Sequence, residues 1–176
     1  MTSLSSRAGL IPTAKSMLEI SLLVLSGVLF APQSVLAQES PPVSEKAKNT
    51  EALVNKAAAL VEEKGKEAFS EFRVKNSEWF HGDTYLFVYD ANGKVLLQPA
   101  VPAREGTVPL GEKDKNGKLF HDEILNTGKK GAGWVSYMLP KPGSTTPSPK
   151  WSYVKGMKTK NGELLIIGSG FYQDAS

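Results

Sequence analysis

Residues 133–154 read GWVSYMLPKPGSTTPSPKWSYV. Two aromatic-rich segments of strand composition flank a proline-rich loop that ends at Lys150. Trp and Tyr rings give rigid apolar walls with a polar tip each, and the lysine adds one positive charge, a combination suited to a small organic anion. No nucleophile, metal cluster or phosphate loop accompanies the stretch.

Working outward, Lys150 to Thr159 is expected as a strand, Asn161-Gly162 as its turn and residues 163–172 as the last strand. Gly168 and Gly170, two apart in that strand, leave one face bare for a ring, a backbone or a ligand to approach. Upstream, Thr84 to Tyr89 runs into Asp90-Ala91-Asn92-Gly93, a hairpin signal because Asn and Gly both tolerate positive φ, and residues 94–98 return. Pro99, Pro102, Gly106, Pro109 and Gly111 then punctuate a segment too irregular for regular structure and long enough to cover something. Leu119, Phe120, Ile124 and Leu125 sit at helical spacing in a short helix expected to close at Gly128.

Further back, Ser44 is a candidate N-cap for a helix starting at Glu45. Leu53, Ala57, Leu60, Val61, Ala68, Phe69 and Phe72 form its apolar stripe, with a bend or break expected at Gly65. The order is helix, hairpin, crossing loop with a short helix, then a three-stranded meander. It predicts an α+β fold, a five-stranded antiparallel sheet with a long amino-terminal helix packed on it.

Arg7 and Lys15 precede an almost wholly apolar run from Ile20 to Ala31, followed by Val35-Leu36-Ala37 before polar residues. This pattern predicts a signal peptide over residues 1–37, cleaved to leave a short Pro41-Pro42 lead over residues 38–43. An uncleaved anchor is the competing reading, but Pro32, Gln33 and Ser34 interrupt the run short of the roughly 20 residues a spanning helix needs. The chain has no cysteine, which removes both a disulfide framework and a cysteine-linked lipid. Cleavage takes away Arg7, Lys15 and Glu19 and leaves a formal charge of +2 from +3. Acids and lysines alternate without a basic stripe, so nucleic acid is not an expected partner, nor is membrane insertion after cleavage.

The series DTYLFVYDANGKVLLQP, DKNGKLFHDEI, GKKGAGWVSYMLPKP, PKWSYVKGM and LLIIGSGFY resembles a single Cache domain of the second type, the PAS-like extracytoplasmic sensor module. The resemblance covers residues 44–172, leaving 173–176 as a tail. It implies a long helix against a PAS-like sheet, with a small molecule, commonly a short carboxylate, held between the sheet and its covering loops. Such domains usually belong to chemoreceptors or sensor kinases. A stand-alone periplasmic or secreted binding domain with no output module is therefore expected, signalling through a membrane-bound receptor or sensor kinase.

The expected ligand residues are Tyr85, Phe87, Trp134, Tyr137, Lys150 and Tyr153. Lys150 would pair with the anion, Tyr85, Tyr137 and Tyr153 would donate hydrogen bonds, and Phe87 and Trp134 would form an apolar wall under a cover at 99–111. Tyr85, Phe87 and Tyr89 share one side of their strand, and Trp151, Tyr153 and Lys155 share one side of theirs. Trp134 and Tyr137, three apart, cannot share a face without a bulge, so one of them is expected under the helix. Arg104 is the alternative cation, with Glu105 beside it to neutralise it.

Asp90-Asn92-Gly93 and Asp114-Asn116-Gly117 resemble the start of a calcium loop but lack the bidentate Glu, so turns explain both. No acid and base pair or nucleophile elbow stands out, and neither catalysis nor a cofactor is expected. A non-covalent haem on His81 or His121 and an accessory subunit that docks on another exported protein, without a ligand, are the alternatives.

Overall fold

The computed structural model describes residues 39–173. The expected signal peptide and residues 174–176 of the tail lie outside the described residues.

Helix α1 (Glu45–Lys64) starts where its cap chemistry places it, since the Ser44 hydroxyl oxygen accepts a hydrogen bond from the Ala47 amide at 3.2 Å. Its buried face is Ala47, Thr50, Val54, Ala57, Ala58 and Val61, with Leu53 and Leu60 at the margin. The stripe is thus packing surface, turned slightly from the one read off the larger side chains. Gly65 takes φ +64 and breaks the helix into a single 3-10 turn and a short α2 (Phe69–Phe72).

Among the described residues six strands follow: β1 (Phe80–His81), β2 (Thr84–Asp90), β3 (Val95–Leu97), β4 (Ala132–Pro140), β5 (Pro147–Lys158) and β6 (Leu164–Tyr172). All pairings are antiparallel. Strands β2, β6, β5 and β4 lie side by side in that order, with β1 and β3 both pairing with β2. The five expected strands are all present. The sixth, β1, is a two-residue pairing of Phe80 with Tyr85 and His81 with Thr84, too short to leave a periodic signal.

The sheet separates two apolar layers. On one face, Val54, Ala57, Val61 and Phe72 pack against Leu86, Val88, Leu165 and Ile167. On the other, α3 (Phe120–Lys129) brings Phe120, Ile124 and Leu125 against Phe87, Val135, Val154 and Ile166. Gly128 does not close α3. It lies inside the helix, where a Cβ would run into the side chain of Ile166, and a Cβ on Gly156 of β5 would run into the Gly128 carbonyl oxygen. The two glycines let helix and sheet approach closely.

Both Asp-X-Asn-Gly sequences are turns. Asp90 Oδ1 accepts from the amides of Asn92 and Lys94, and Asp114 Oδ1 accepts from those of Asn116 and Lys118. Asp114 also reaches the outer edge of β4, where its Oδ2 accepts from the Met138 amide at 2.8 Å. That bond holds the covering loop over the α3 side of the sheet.

Candidate functional site

Between the α3 face of the sheet and its covering segments lies a cavity of about 470 Å³. Tyr85, Phe87 and Tyr89 of β2 line it together with Tyr137 of β4, and Phe120 and His121 enter from α3. Its cover is wider than the expected 99–111 segment. Lys113, Asp114 and Lys115 and the loop from Pro140 to Pro147 also contribute.

Strand parity and register decide which aromatic residues reach this face. Tyr137 pairs directly with Lys150, and Trp134 pairs directly with Tyr153. The pairing is regular, so residues three apart point to opposite sides. Tyr85, Phe87, Tyr137 and Lys150 fall on the α3 face. Trp134 and Tyr153 fall on the α1 face, where their rings pack 5.2 Å apart and Trp134 meets Phe171 at 6.0 Å. The residues expected to give a hydrogen bond, Tyr153, and an apolar wall, Trp134, are thus on the face opposite the other four. Neither residue lines the cavity.

Lys150 is 1% exposed. Its Nζ donates to the Tyr85 hydroxyl oxygen at 2.9 Å, and lies 4.1 Å from the Tyr85 ring centre and 5.0 Å from that of Tyr172. It forms no ion pair with any carboxylate among the described residues. Burial lowers its pKa, opposed by the fields of Tyr137 and Asp83. Gly170 opposite leaves room for the lysine stem, as a Cβ there would press on Lys150 Cε, and Gly168 makes room for the Phe87 ring. The bare face of β6 is thus filled by a ring and an alkyl chain. Lys150 does not itself line the cavity and reaches it through Tyr85.

The tyrosines around it are neutral. Burial raises the Tyr85 pKa to about 12, and it raises those of Tyr89 and Tyr137 as well. The Tyr137 hydroxyl is hydrogen-bonded to that of Ser152 at 2.8 Å. Tyr172, not foreseen from the sequence, donates to the Pro140 carbonyl at 2.8 Å and ties the end of β6 to the loop over the cavity.

Arg104 does reach the cavity, but Glu105 is not its partner. Glu112 Oε2 accepts from Arg104 Nη2 at 2.7 Å, whereas Glu105 binds Arg73 through both oxygens at 2.6 and 2.9 Å. Adjacent residues in an irregular segment point apart, and their pairing depends on a loop path that the sequence does not display. His121 bridges inward, with Nδ1 at 2.7 Å from the Tyr89 hydroxyl and Nε2 at 3.3 Å from Arg104. Burial and the Arg104 charge lower the His121 pKa to about 4, so the ring is neutral at neutral pH. His81 lies elsewhere, exposed, with Nδ1 at 2.9 Å from the Ser77 carbonyl oxygen.

Comparison with known proteins places this geometry. A Cache domain family model matches residues 43–176. The chain is 32% identical over 93 residues to the methyl-accepting chemotaxis protein McpP of Pseudomonas putida, a stretch covering 52% of this chain and 16% of that protein. It is 30% identical over 92 residues to the sensor histidine kinase MctS of Rhizobium johnstonii, covering 52% of this chain and 19% of that one. The chain thus matches less than a fifth of the length of these relatives. Among solved structures, a periplasmic sensor domain of a chemotaxis protein superposes with a TM-score of 0.63 at 33% identity, over 73% of this chain and 95% of that one. A Cache chemosensory domain described for carboxylic acid recognition superposes at 0.60 with 29% identity, over 73% of this chain and 94% of that one. These relatives are sensory domains, and among the described residues no helix is long and apolar enough to cross a membrane.

Proposed function

Because the chain belongs to the Cache domain family, extracytoplasmic sensor modules, we propose that its cavity binds a small carboxylic acid and that this binding is its function, without chemistry on the ligand. One observation carries the reading. Lys150 is a lysine 1% exposed and without a carboxylate partner among the described residues, placed directly behind cavity-lining phenols. A buried, unpaired ammonium is costly, and an anion that enters the cavity offsets that cost.

The geometry supports a division of labour. Lys150 donates to the Tyr85 oxygen, and the Tyr85 hydroxyl, which also meets that of Tyr172, is the first polar group behind the cavity wall. Tyr137, anchored on Ser152, is the second donor, and Phe87 and Phe120 flank the apolar part. The carboxylate then accepts from neutral hydroxyls while the lysine supplies the charge behind them. Carboxylic acid recognition by one structural relative fits this reading. The protein acts in the periplasm or outside the cell after export by residues 1–37, and passes the ligand signal to a membrane-bound receptor or sensor kinase.

A thermal-shift screen against small carboxylates, amino acids, amines and sugars tests this directly. A ligand at 100 times its dissociation constant adds about 2.7 kcal/mol to stability. Stabilisation confined to carboxylates is the expected result, and stabilisation by amines or sugars alone would overturn it.

A further inference from the structure

Lys150 is not the group that a ligand meets first. It is 1% exposed and stands behind the Tyr85 hydroxyl, outside the cavity lining. A carboxylate that leaves water for the cavity needs a cation it can touch. The basic residues that line the cavity are Arg104, Lys113, Lys115 and Lys141. Arg104 is held by Glu112 at 2.7 Å, and Lys113 and Lys115 are exposed on the cover. Lys141 is half-buried.

The loop that carries Lys141 places it beside the cavity phenols. Pro140 and Pro142 on either side restrict its backbone, and the Pro140 carbonyl accepts from the Tyr172 hydroxyl at 2.8 Å. Lys141 Nζ lies 5.7 Å from the centre of the Tyr172 ring, and Lys150 Nζ lies 5.0 Å from the same centre. The Tyr172 hydroxyl in turn meets that of Tyr85. One sealed ammonium and one that lines the cavity thus gather around the same two phenols.

The partner that Lys141 has now is a weak one. Asp83 Oδ2 is 3.5 Å from its Nζ, and the two side chains are 40% and 44% exposed. An exposed pair at that distance contributes little to stability. Asp83 does not line this cavity. It borders a second, of about 460 Å³, which Lys141 lines as well, so the lysine stands where the two meet. Turning to a carboxylate in the first cavity costs it only that pair.

We propose that Lys141 is the residue that meets the ligand carboxylate directly, giving up Asp83 for it, while Lys150 acts from behind Tyr85. The proposal rests on the carboxylate-binding reading above and names its contact residue. It also sets the sign of two substitutions apart. Removing Lys141 removes the contact, whereas removing Asp83 frees the lysine to make it.

The test is titration calorimetry on the full chain with acetate, propionate and benzoate. For each acid that binds, Lys141→Met weakens binding about tenfold or more, as the loss of a direct charge partner does. Lys141→Gln does the same if the methionine variant folds poorly. Asp83→Asn strengthens binding about threefold, the worth of the exposed pair it removes. That gain vanishes when Asp83→Asn is placed in the Lys141→Met background, which shows that it acts through the lysine and not through the field of Asp83 on the site. Unchanged affinity in both Lys141 variants overturns the proposal. So does an Asp83→Asn variant no tighter than the original, since a lysine that serves only to hold the loop loses its role with either partner. A gain from Asp83→Asn that persists without Lys141 overturns it as well. If the acids bind and these substitutions fail to separate, only this inference fails. If none of the acids binds, the carboxylate reading fails with it.

Discussion

Lys150 Nζ lies 2.9 Å from the Tyr85 hydroxyl oxygen and 4.1 Å from the centre of the same ring. The ammonium is thus bound to a neutral phenol by both its edge and its face, with no carboxylate in ion-pair contact among the described residues. A purely structural lysine would be expected at the surface or in an ion pair. The placement stores an unmet preference for an anion on the cavity side of the sheet.

The contact between α3 and β5 rests on two glycines. Gly156→Ala would drive a methyl group into the backbone carbonyl of Gly128, and Gly128→Ala would drive one into Ile166. Each is expected to lower unfolding stability by about 1–3 kcal/mol, with Gly156→Ala the worse because backbone yields less than a side chain. Urea unfolding of the two variants checks this, and an unchanged midpoint for Gly156→Ala would contradict the packing.

His121 makes stability depend on pH. Its folded-state pKa is depressed from 6.5 to about 4, so the unfolded chain takes up the proton first. Stability from this group is complete above pH 6.5 and falls with acidification by up to about 1.4 kcal/mol per pH unit. The loss ends near pH 4, where the folded ring also protonates. Glu105 and Glu112, whose carboxyls are held down by hydrogen bonds from Arg73 and Arg104, add their own losses only below their ordinary range near 4.5. His121→Gln should therefore flatten the stability profile between pH 6.5 and 4.5. A slope unchanged by that substitution would contradict the buried neutral ring.

Glu105 fastens the cover. It accepts from Arg73 after α2 and from the amide of Gln98 at the cavity. Glu105→Ala is expected to change global stability by about 1 kcal/mol or less, because the ion pair is partly exposed. Hydrogen exchange at the Gln98 amide should nevertheless accelerate tenfold or more. Unchanged exchange there would mean the strap does not hold the loop.

The fold was largely legible because each strand carries its own alternation and each hairpin its own turn residues, as at Asn92-Gly93 and Asn161-Gly162. The site was legible within strands and not between them. Sequence parity shows that Tyr85 shares a side with Phe87, and that Trp134 cannot share one with Tyr137. It does not show which member of the second pair faces α1, because that depends on the register across the Pro140 to Pro147 loop. The partners of Arg104, the orphaned oxygen of Gln98 and the chain from Glu112 to Tyr89 depend on the path of an irregular segment. Gly128 carries a helix-stop signal and serves as a packing glycine, a distinction made only by Ile166 across the interface.

Lys150→Met tests the central claim most directly, with melting temperature measured in the absence and presence of the carboxylate that most stabilises the unsubstituted protein. Replacing a buried charge by an apolar chain of similar length leaves a fold as stable or more stable when the charge has no ion-pair partner. The account predicts an unliganded variant that melts no lower than the original, with the ligand-induced shift abolished. A variant that keeps the full shift would contradict it.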